Sequence, residues 1–122
     1  MRSLVATGYL RNRDAYRDAA QDWAILHGCF GGAIRPSDID GIIERKGHFL
    51  VLEKKPKGYE FRGGQKILFG QLAGLPKFTV VILRGDGQAV DSMQVWGQAE
   101  QACSLQHIRD FCQAWYEYAN DG

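Results

Sequence analysis

Three charged side chains, Asp40, Glu53 and Lys55, stand at the ends of two short segments that are otherwise largely apolar. Successive side chains of a strand point to opposite faces, so Glu53 and Lys55 are expected to share one face. Charged groups on apolar strands are costly to hold unless something binds them. A divalent cation together with a phosphate would bind both acids and the amine, so the pattern predicts metal-assisted chemistry on a phosphodiester.

Hydrolysis of a phosphodiester needs an activated water and a positive charge near the phosphate. Hard cations such as Mg²⁺ or Mn²⁺ supply that charge and take oxygen ligands from carboxylates and carbonyls. Asp40 and Glu53 are the predicted carboxylate ligands, the backbone carbonyl of Lys54 is a third, and Asp38 is an additional candidate. Lys55 is predicted to orient or activate the water and to offset charge in the transition state.

A β-hairpin is the element that must position these groups. Residues 38–44 and 48–55 both read as strands with period two, and Arg45-Lys46-Gly47 supplies a turn in which the glycine can take a positive φ. Asp38 and Asp40 are then expected on one side of the first strand. An Asp40-Gly41 turn is the structural alternative, which would shorten that strand.

The rest of the chain predicts a mixed sheet flanked by helices, an α/β (α+β) fold. Apolar spacing, caps and breakers predict a helix at 14–27, an edge strand at 29–35, a helix at 64–73, a strand at 78–83 covered on both faces and a strand at 90–96. Ser104 is the predicted N-cap of a last helix. Its buried stripe is expected to contain Leu105, Ile108, Phe111, Cys112, Trp115 and Tyr118.

Composition excludes several classes of protein. The 122 residues predict one domain over 1–122, and the formal net charge of +1 gives no global basic field, so nucleic-acid binding would need a local patch. The three cysteines, Cys29, Cys103 and Cys112, are expected to be buried free thiols in a reducing cytosol. The sequence contains no apolar run of about 18 residues and no signal-peptide core, so we expect no membrane partner and a cytoplasmic location.

A Glu-x-Lys triplet alone is weak evidence, because composition gives one in roughly a quarter of such chains. A second triplet, Glu44-Arg45-Lys46, lies at the predicted hairpin tip and is interpreted as a solvated turn. The triplet at Glu53 differs because it ends an apolar strand and follows an aspartate on the paired strand. An exposed strand end is the structural alternative for Glu53 and Lys55.

The stretch 36–84 resembles the PD-(D/E)xK nuclease superfamily, and is most similar to its VRR-NUC and RecB-type branches. The interval from Asp40 to Glu53 is 53 − 40 = 13 residues, a Lys-Pro-x-Gly loop begins at Lys55, and Gln65 opens the next helix. The resemblance implies a restriction-endonuclease-like αβββαβ core, here with an extra C-terminal strand and helix. It also implies dependence on Mg²⁺ or Mn²⁺ and cleavage of DNA, often branched DNA such as flaps or four-way junctions.

By position, the resemblance makes Asp40 and Glu53 the metal ligands and Lys55 the catalytic lysine. Gln65 would support the metal site or a nearby phosphate, although a helix residue without a role is the alternative. The sequence departs from the family at Lys54, where the middle of the triplet is usually apolar, and at Ser37, which separates the proline from Asp38. Many relatives carry a first-helix glutamate; this chain offers only aspartates there, which also read as a solvated stripe: Asp14, Asp18 and Asp22.

A DNA nuclease is therefore the favoured function, and a phage-like stand-alone nuclease acting in recombination or repair in the host cytoplasm is the nearest analogy. Phosphate contacts are expected from basic residues around the site: Arg35, Lys54, Lys57, Arg62 and Lys66. A chain this short has little surface for gripping a branched duplex, so a homodimer is expected. The alternatives are a catalytically silent binding or inhibitory module with the same fold and a small-ligand α/β domain with an accidental triplet.

Overall fold

The structure, a computed structural model, describes residues 23–32 and 34–122. Backbone contacts divide the chain into two units, Met1–Ser37 and Asp38–Gly122, and the single-domain expectation stays a prediction. In the described part of the first unit, Ala24–Leu26 form a 3-10 turn. The edge strand predicted at 29–35 is wrong there, because the described residues of that stretch form turns and irregular backbone. The helix predicted at 14–27 falls mostly outside the described residues.

The second unit is a five-stranded mixed sheet with two helices. Its strands lie in chain order: β1 (Gly41–Arg45), β2 (His48–Lys55), β3 (Phe78–Arg84), β4 (Ser92–Val95) and β5 (Gln101–Ala102). The β2–β3 pair is parallel and the other three pairs are antiparallel. Helix α1 (Gly63–Ala73) connects the two parallel strands, and α2 (Leu105–Asp121) follows β5. The predicted mixed sheet flanked by helices is confirmed.

Two apolar cores form because β2 and β3 present alternate side chains to opposite faces of the sheet. Helix α2 contributes to one core, whose buried members are Leu50, Val81, Trp115 and Ala119. Helix α1 contributes to the other core, whose buried members are Val51, Phe69, Val80 and Ile82. The carboxyl end of β2 therefore extends from a well-packed central strand, which gives the residues there a rigid base.

Strand β1 begins at Gly41, later than expected. Asp38 and Asp40 therefore precede the strand, and the prediction that both lie on one side of it is wrong. The antiparallel register pairs Gly41 with Leu52, so continuation of that register brings Asp40 beside Glu53. Asp40 therefore lies beside Glu53 as expected, although neither Asp38 nor Asp40 belongs to the strand.

Helix α2 begins as predicted, because the Ser104 hydroxyl accepts a hydrogen bond from the His107 N–H at 3.2 Å. Two members of the predicted stripe are wrong: Leu105 is 70% exposed and Tyr118 is 58% exposed. Leu105 shares the helix face of Ile108 and Cys112 but lies in the first turn, at the end of the helix. Tyr118 lies beside that face, and Ala119 is buried there instead. The two-residue strand β5 was not predicted.

The three cysteines are free thiols, as predicted. Their expected burial is wrong for Cys29, which is exposed, whereas Cys103 and Cys112 are partly buried. Cys112 packs against the core beside α2. Within the described part of the chain, no helix has the length and apolar character needed to cross a membrane.

Gly85, directly after β3, has less room for a side chain than any other glycine in the part of the chain that the structure describes. Its N–H donates to the Lys55 carbonyl at 3.0 Å, and an added Cβ would overlap the Ala89 carbonyl and lie 2.8 Å from the Val90 Cα. We expect Gly85→Ala to lower the free energy of unfolding by about 1–3 kcal/mol, measured by urea denaturation. The control Gly64→Ala, whose Cβ meets no heavy atom within 4 Å, should be neutral or slightly stabilising because alanine favours helix. Equal stability of the two variants would contradict the expectation.

Candidate active site

Two hydrogen bonds join Asp40 to the end of β2, across the open end of the hairpin. The Asp40 N–H donates to Glu53 Oε1 at 3.1 Å. The Lys54 N–H donates to Asp40 Oδ2 at 2.8 Å. Each carboxylate is therefore oriented by a main-chain donor of the other segment, and the two acids lie side by side where β1 meets the end of β2.

Glu53 is the buried acid of the pair, with only 3% of its surface exposed. Burial raises the pKa of Glu53 above its ordinary value, and the Asp40 charge adds to this rise. The hydrogen bond from the Asp40 amide and the Lys55 ammonium lower the pKa of Glu53 and offset only part of the rise. The fold thus holds a carboxylate whose charge its surroundings do not fully compensate.

Lys55 lies on the same face as Glu53, as the alternation of β2 predicts. Its Nζ is 3.3 Å from Glu53 Oε2 and donates to Gln65 Oε1 at 3.0 Å. Only 16% of the Lys55 side chain is exposed. Gln65 reaches the amine because it lies in the first turn of α1. The structure therefore brings together Asp40, Glu53, Lys55 and Gln65, while their catalytic roles stay predictions.

The backbone of Lys54 faces the site, whereas its side chain binds a neighbouring loop. Its N–H faces Asp40, and the N–H and C=O of one strand residue point the same way, so its carbonyl faces the same edge. That orientation suits the predicted carbonyl ligand. Its ammonium instead donates to the carbonyls of Gly85 at 2.8 Å and Gly87 at 3.2 Å. The side chain that was predicted to contact DNA therefore anchors the loop between β3 and β4.

The other basic residues that were predicted to contact DNA are exposed. Lys57 is exposed in the loop after β2, and Arg62 and Lys66 are exposed on either side of Gln65. Arg35 belongs to the first unit, and Asp38 is exposed. The first-helix aspartates lie outside the described residues: Asp14, Asp18 and Asp22.

The carboxylate set is small. Among residues 23–32 and 34–122, no group of three or more His, Cys, Asp or Glu side chains could hold a metal ion. Two carboxylates nevertheless suffice for Mg²⁺, which typically keeps several waters and binds one or two carboxylates plus substrate phosphate. The donor set of Asp40, Glu53 and the Lys54 carbonyl is chemically consistent with that mode of binding.

The sequence analysis missed three residues that contact or support the site. The Tyr59 hydroxyl donates to Gln65 Oε1 at 3.4 Å, and its ring faces the Lys55 ammonium. The Phe61 ring lies 5.6 Å from the same ammonium. Arg84 is buried and binds the carbonyl of Tyr59. The sequence did contain signals for them: Tyr59 and Phe61 are aromatic residues in an otherwise polar loop, and Arg84 is a cation at the end of an apolar strand.

The raised pKa of Glu53 predicts how the stability of the metal-free protein depends on pH. A raised pKa in the folded state means that the favourable contribution of Glu53 is present at acid pH and is lost as pH rises through the folded pKa. Near neutral pH, we expect Glu53→Gln to raise Tm by about 2–5 °C. The difference should shrink as pH falls, because protonated Glu53 resembles glutamine. Thermal unfolding monitored by circular dichroism across this pH range, with chelator present, measures both.

Glu60→Gln is the matched control for that experiment, because Glu60 is exposed in the adjacent loop. Its Tm should follow that of the wild type across the pH range. A wild type that is more stable than Glu53→Gln near neutral pH would show that Glu53 is a structural ion-pair partner, contrary to expectation.

No protein-family model, curated protein sequence or solved structure matches this chain. The resemblance of residues 36–84 to PD-(D/E)xK nucleases therefore stays a prediction, and the structure bears on it only through the contacts among Asp40, Glu53, Lys55 and Gln65. The functional conclusion follows from the chemistry of those contacts.

Proposed function

We propose that this chain is a Mg²⁺- or Mn²⁺-dependent DNA nuclease that hydrolyses phosphodiester bonds, with branched DNA such as flaps or four-way junctions as its substrate. The observation that supports it is the buried Glu53 carboxylate held between Asp40 and the Lys55 ammonium. A carboxylate pair beside a lysine is the minimum set for binding a hard cation and a phosphate together. A homodimer remains part of the proposal, because a short chain has little surface for gripping a branched duplex.

The residues present fit a hard divalent cation. Asp40 and Glu53 would hold it, with the Lys54 carbonyl as a third oxygen. Burial and the Asp40 charge raise the pKa of Glu53, which is the environment expected when a carboxylate is placed to receive a cation. When bound, the ion would supply the positive charge that polarises the phosphate and makes a water acidic.

Lys55 supplies the second positive charge of the proposed site. Its contacts with Glu53 and Gln65 restrict a flexible side chain to one position. A fixed ammonium beside a phosphate stabilises developing negative charge without reorganising during the reaction. It can also orient the attacking water by donating a hydrogen bond to it.

Gln65 has a definite orientation at this site. Lys55 can only donate, so the Gln65 carbonyl oxygen must face the amine, and the amide NH₂ points away from it. The NH₂ group can then donate to a phosphate oxygen. The proposed role of Gln65 is therefore to bind substrate phosphate, and its carbonyl fixes it relative to Lys55.

Cleavage of a labelled branched DNA in Mg²⁺ or Mn²⁺ tests the proposed function. We expect the wild type to cleave, and Asp40→Asn and Lys55→Ala each to lower the rate at least about 100-fold. Asp40→Asn removes a charged ligand of the cation and Lys55→Ala removes an ammonium, and both positive charges stabilise the transition state. Asp110→Asn is the matched control, since Asp110 is an exposed residue of α2. Gel analysis of single-turnover reactions gives the rates.

No cleavage by the wild type with either ion, or undiminished cleavage by both variants, would defeat the nuclease proposal. Calorimetric titration with Mn²⁺ separates the remaining cases. Binding by the wild type that is lost in Asp40→Asn, without cleavage of any DNA offered, would favour a catalytically silent module that has kept the cation site.

DNA binding by this nearly neutral chain should depend on a few exposed cations near the site. We expect Arg62→Gln and Lys66→Gln each to reduce the slope of log K against log salt by about one, because each contact releases about one counterion. Arg109→Gln on α2 should leave the slope unchanged. Fluorescence anisotropy of labelled duplex in chelator measures the slopes without cleavage, and identical slopes for all three variants would count against this surface.

A further inference from the structure

Tyr59 contacts Lys55 through its ring and Gln65 through its hydroxyl group. The Lys55 Nζ lies 4.8 Å from the centre of the Tyr59 ring, a distance at which the ring face attracts an ammonium. The Tyr59 hydroxyl donates to Gln65 Oε1 at 3.4 Å, the oxygen that also accepts from Lys55. One side chain therefore contacts both Lys55 and Gln65.

The Tyr59 backbone is held by a buried cation, although Tyr59 belongs to no helix or strand. Arg84 is 7% exposed, and its Nε donates to the Tyr59 carbonyl at 2.9 Å. The same guanidinium donates to Gln94 Oε1 at 2.7 Å and lies 3.6 Å from Glu100. Buried arginine is costly unless its donors are bound, and one of these donors is used to hold a loop.

Phe61 fixes the other side of this loop. Its ring meets the Tyr59 ring edge-on at 5.0 Å and packs against Phe69 and Trp96 in the core beside α1. The strand register also pairs Lys55 with the residue that anchors the loop, Arg84. The loop segment is thus attached to the sheet at both of its aromatic residues, directly beside the amine.

We propose that Tyr59, held by Arg84, is a positioning residue that fixes the orientation of the Lys55 ammonium and the Gln65 amide at the reacting phosphate. The proposal rests on the proposed nuclease function for its purpose, but its geometry is testable without DNA. Tyr59 acts through Lys55 and Gln65, so it is not itself a catalytic residue. A lysine side chain is otherwise flexible, and a fixed amine is more effective at a reacting phosphate.

The acylation rate of Lys55 in the free protein reports how well its amine is covered and held. The metal-free protein is treated with a small amine-reactive acyl ester, and peptide mass spectrometry gives the rate at Lys55 relative to exposed Lys66. Tyr59→Leu should raise the relative rate about fivefold, because the ring that covers the amine is lost. Tyr59→Phe keeps the ring and should stay near the wild-type rate. Tyr118→Leu, on α2, is the control for removing a tyrosine elsewhere.

Arg84 variants test whether the loop anchor acts through Tyr59. Arg84→Met should raise the Lys55 rate as Tyr59→Leu does, whereas Glu100→Gln, which leaves the bond to the Tyr59 carbonyl intact, should not. Circular dichroism checks that each variant is folded. If Arg84→Met does not fold, Arg84→Lys takes its place, since it keeps the charge and removes the guanidinium geometry.

Cleavage kinetics provide the second measurement. Tyr59→Leu should lower the single-turnover rate about tenfold while DNA affinity stays within twofold of the wild type, as expected when orientation and not binding is lost. Unchanged acylation of Lys55 in Tyr59→Leu and in the folded Arg84 variant would overturn the proposal, and so would unchanged cleavage in Tyr59→Leu when the wild type cleaves. Faster acylation with a wild type that cleaves no DNA would support the positioning role and defeat only the nuclease function.

Discussion

The buried and only partly compensated carboxylate of Glu53 is the constraint around which the site is arranged. It lies at the end of a central strand, almost out of solvent, and burial together with the neighbouring aspartate raises its pKa. One amide and one ammonium stabilise its charge, but not fully. Replacement of a buried ion pair by well-packed apolar residues is often neutral or stabilising, so packing alone does not account for these charges. Carboxyl groups with a raised pKa occur in functional sites and also in structural ion-pair networks.

The two adjacent lysines at the end of β2 make different contacts, because successive side chains of a strand point to opposite faces of the sheet. The Lys55 ammonium points toward Glu53 and the proposed chemistry. The Lys54 ammonium points to the other face and binds the carbonyls of the loop after β3. The Gly85 N–H bonds the Lys55 carbonyl in the same region. The end of the strand is thereby fixed by main-chain and side-chain bonds before any ligand arrives.

Much of the fold was predictable because it depends on local patterns. Strand β2, helix α1 and the cap of α2 each have a period, a breaker or a cap in the sequence, and the structure has them where these patterns predict. The errors occurred where the pattern was weak. The sequence alternates from Asp38 onward, but pairing with β2 begins only at Gly41. Leu105 is exposed in the first turn of α2, and Tyr118 lies beside the face of α2 that meets the sheet.

The sequence by itself determined that Glu53 and Lys55 share a face, since only Lys54 lies between them in the strand, and it placed an aspartate on the paired segment. Tertiary structure alone decided that Tyr59 lies against Lys55 and that Arg84 holds Tyr59. The Arg84–Tyr59 hydrogen bond spans 25 residues, and neither partner has a periodic pattern that would reveal it. Local periodicity is encoded within a few residues, whereas the contacts of an irregular loop exist only after the sheet and α1 have packed together.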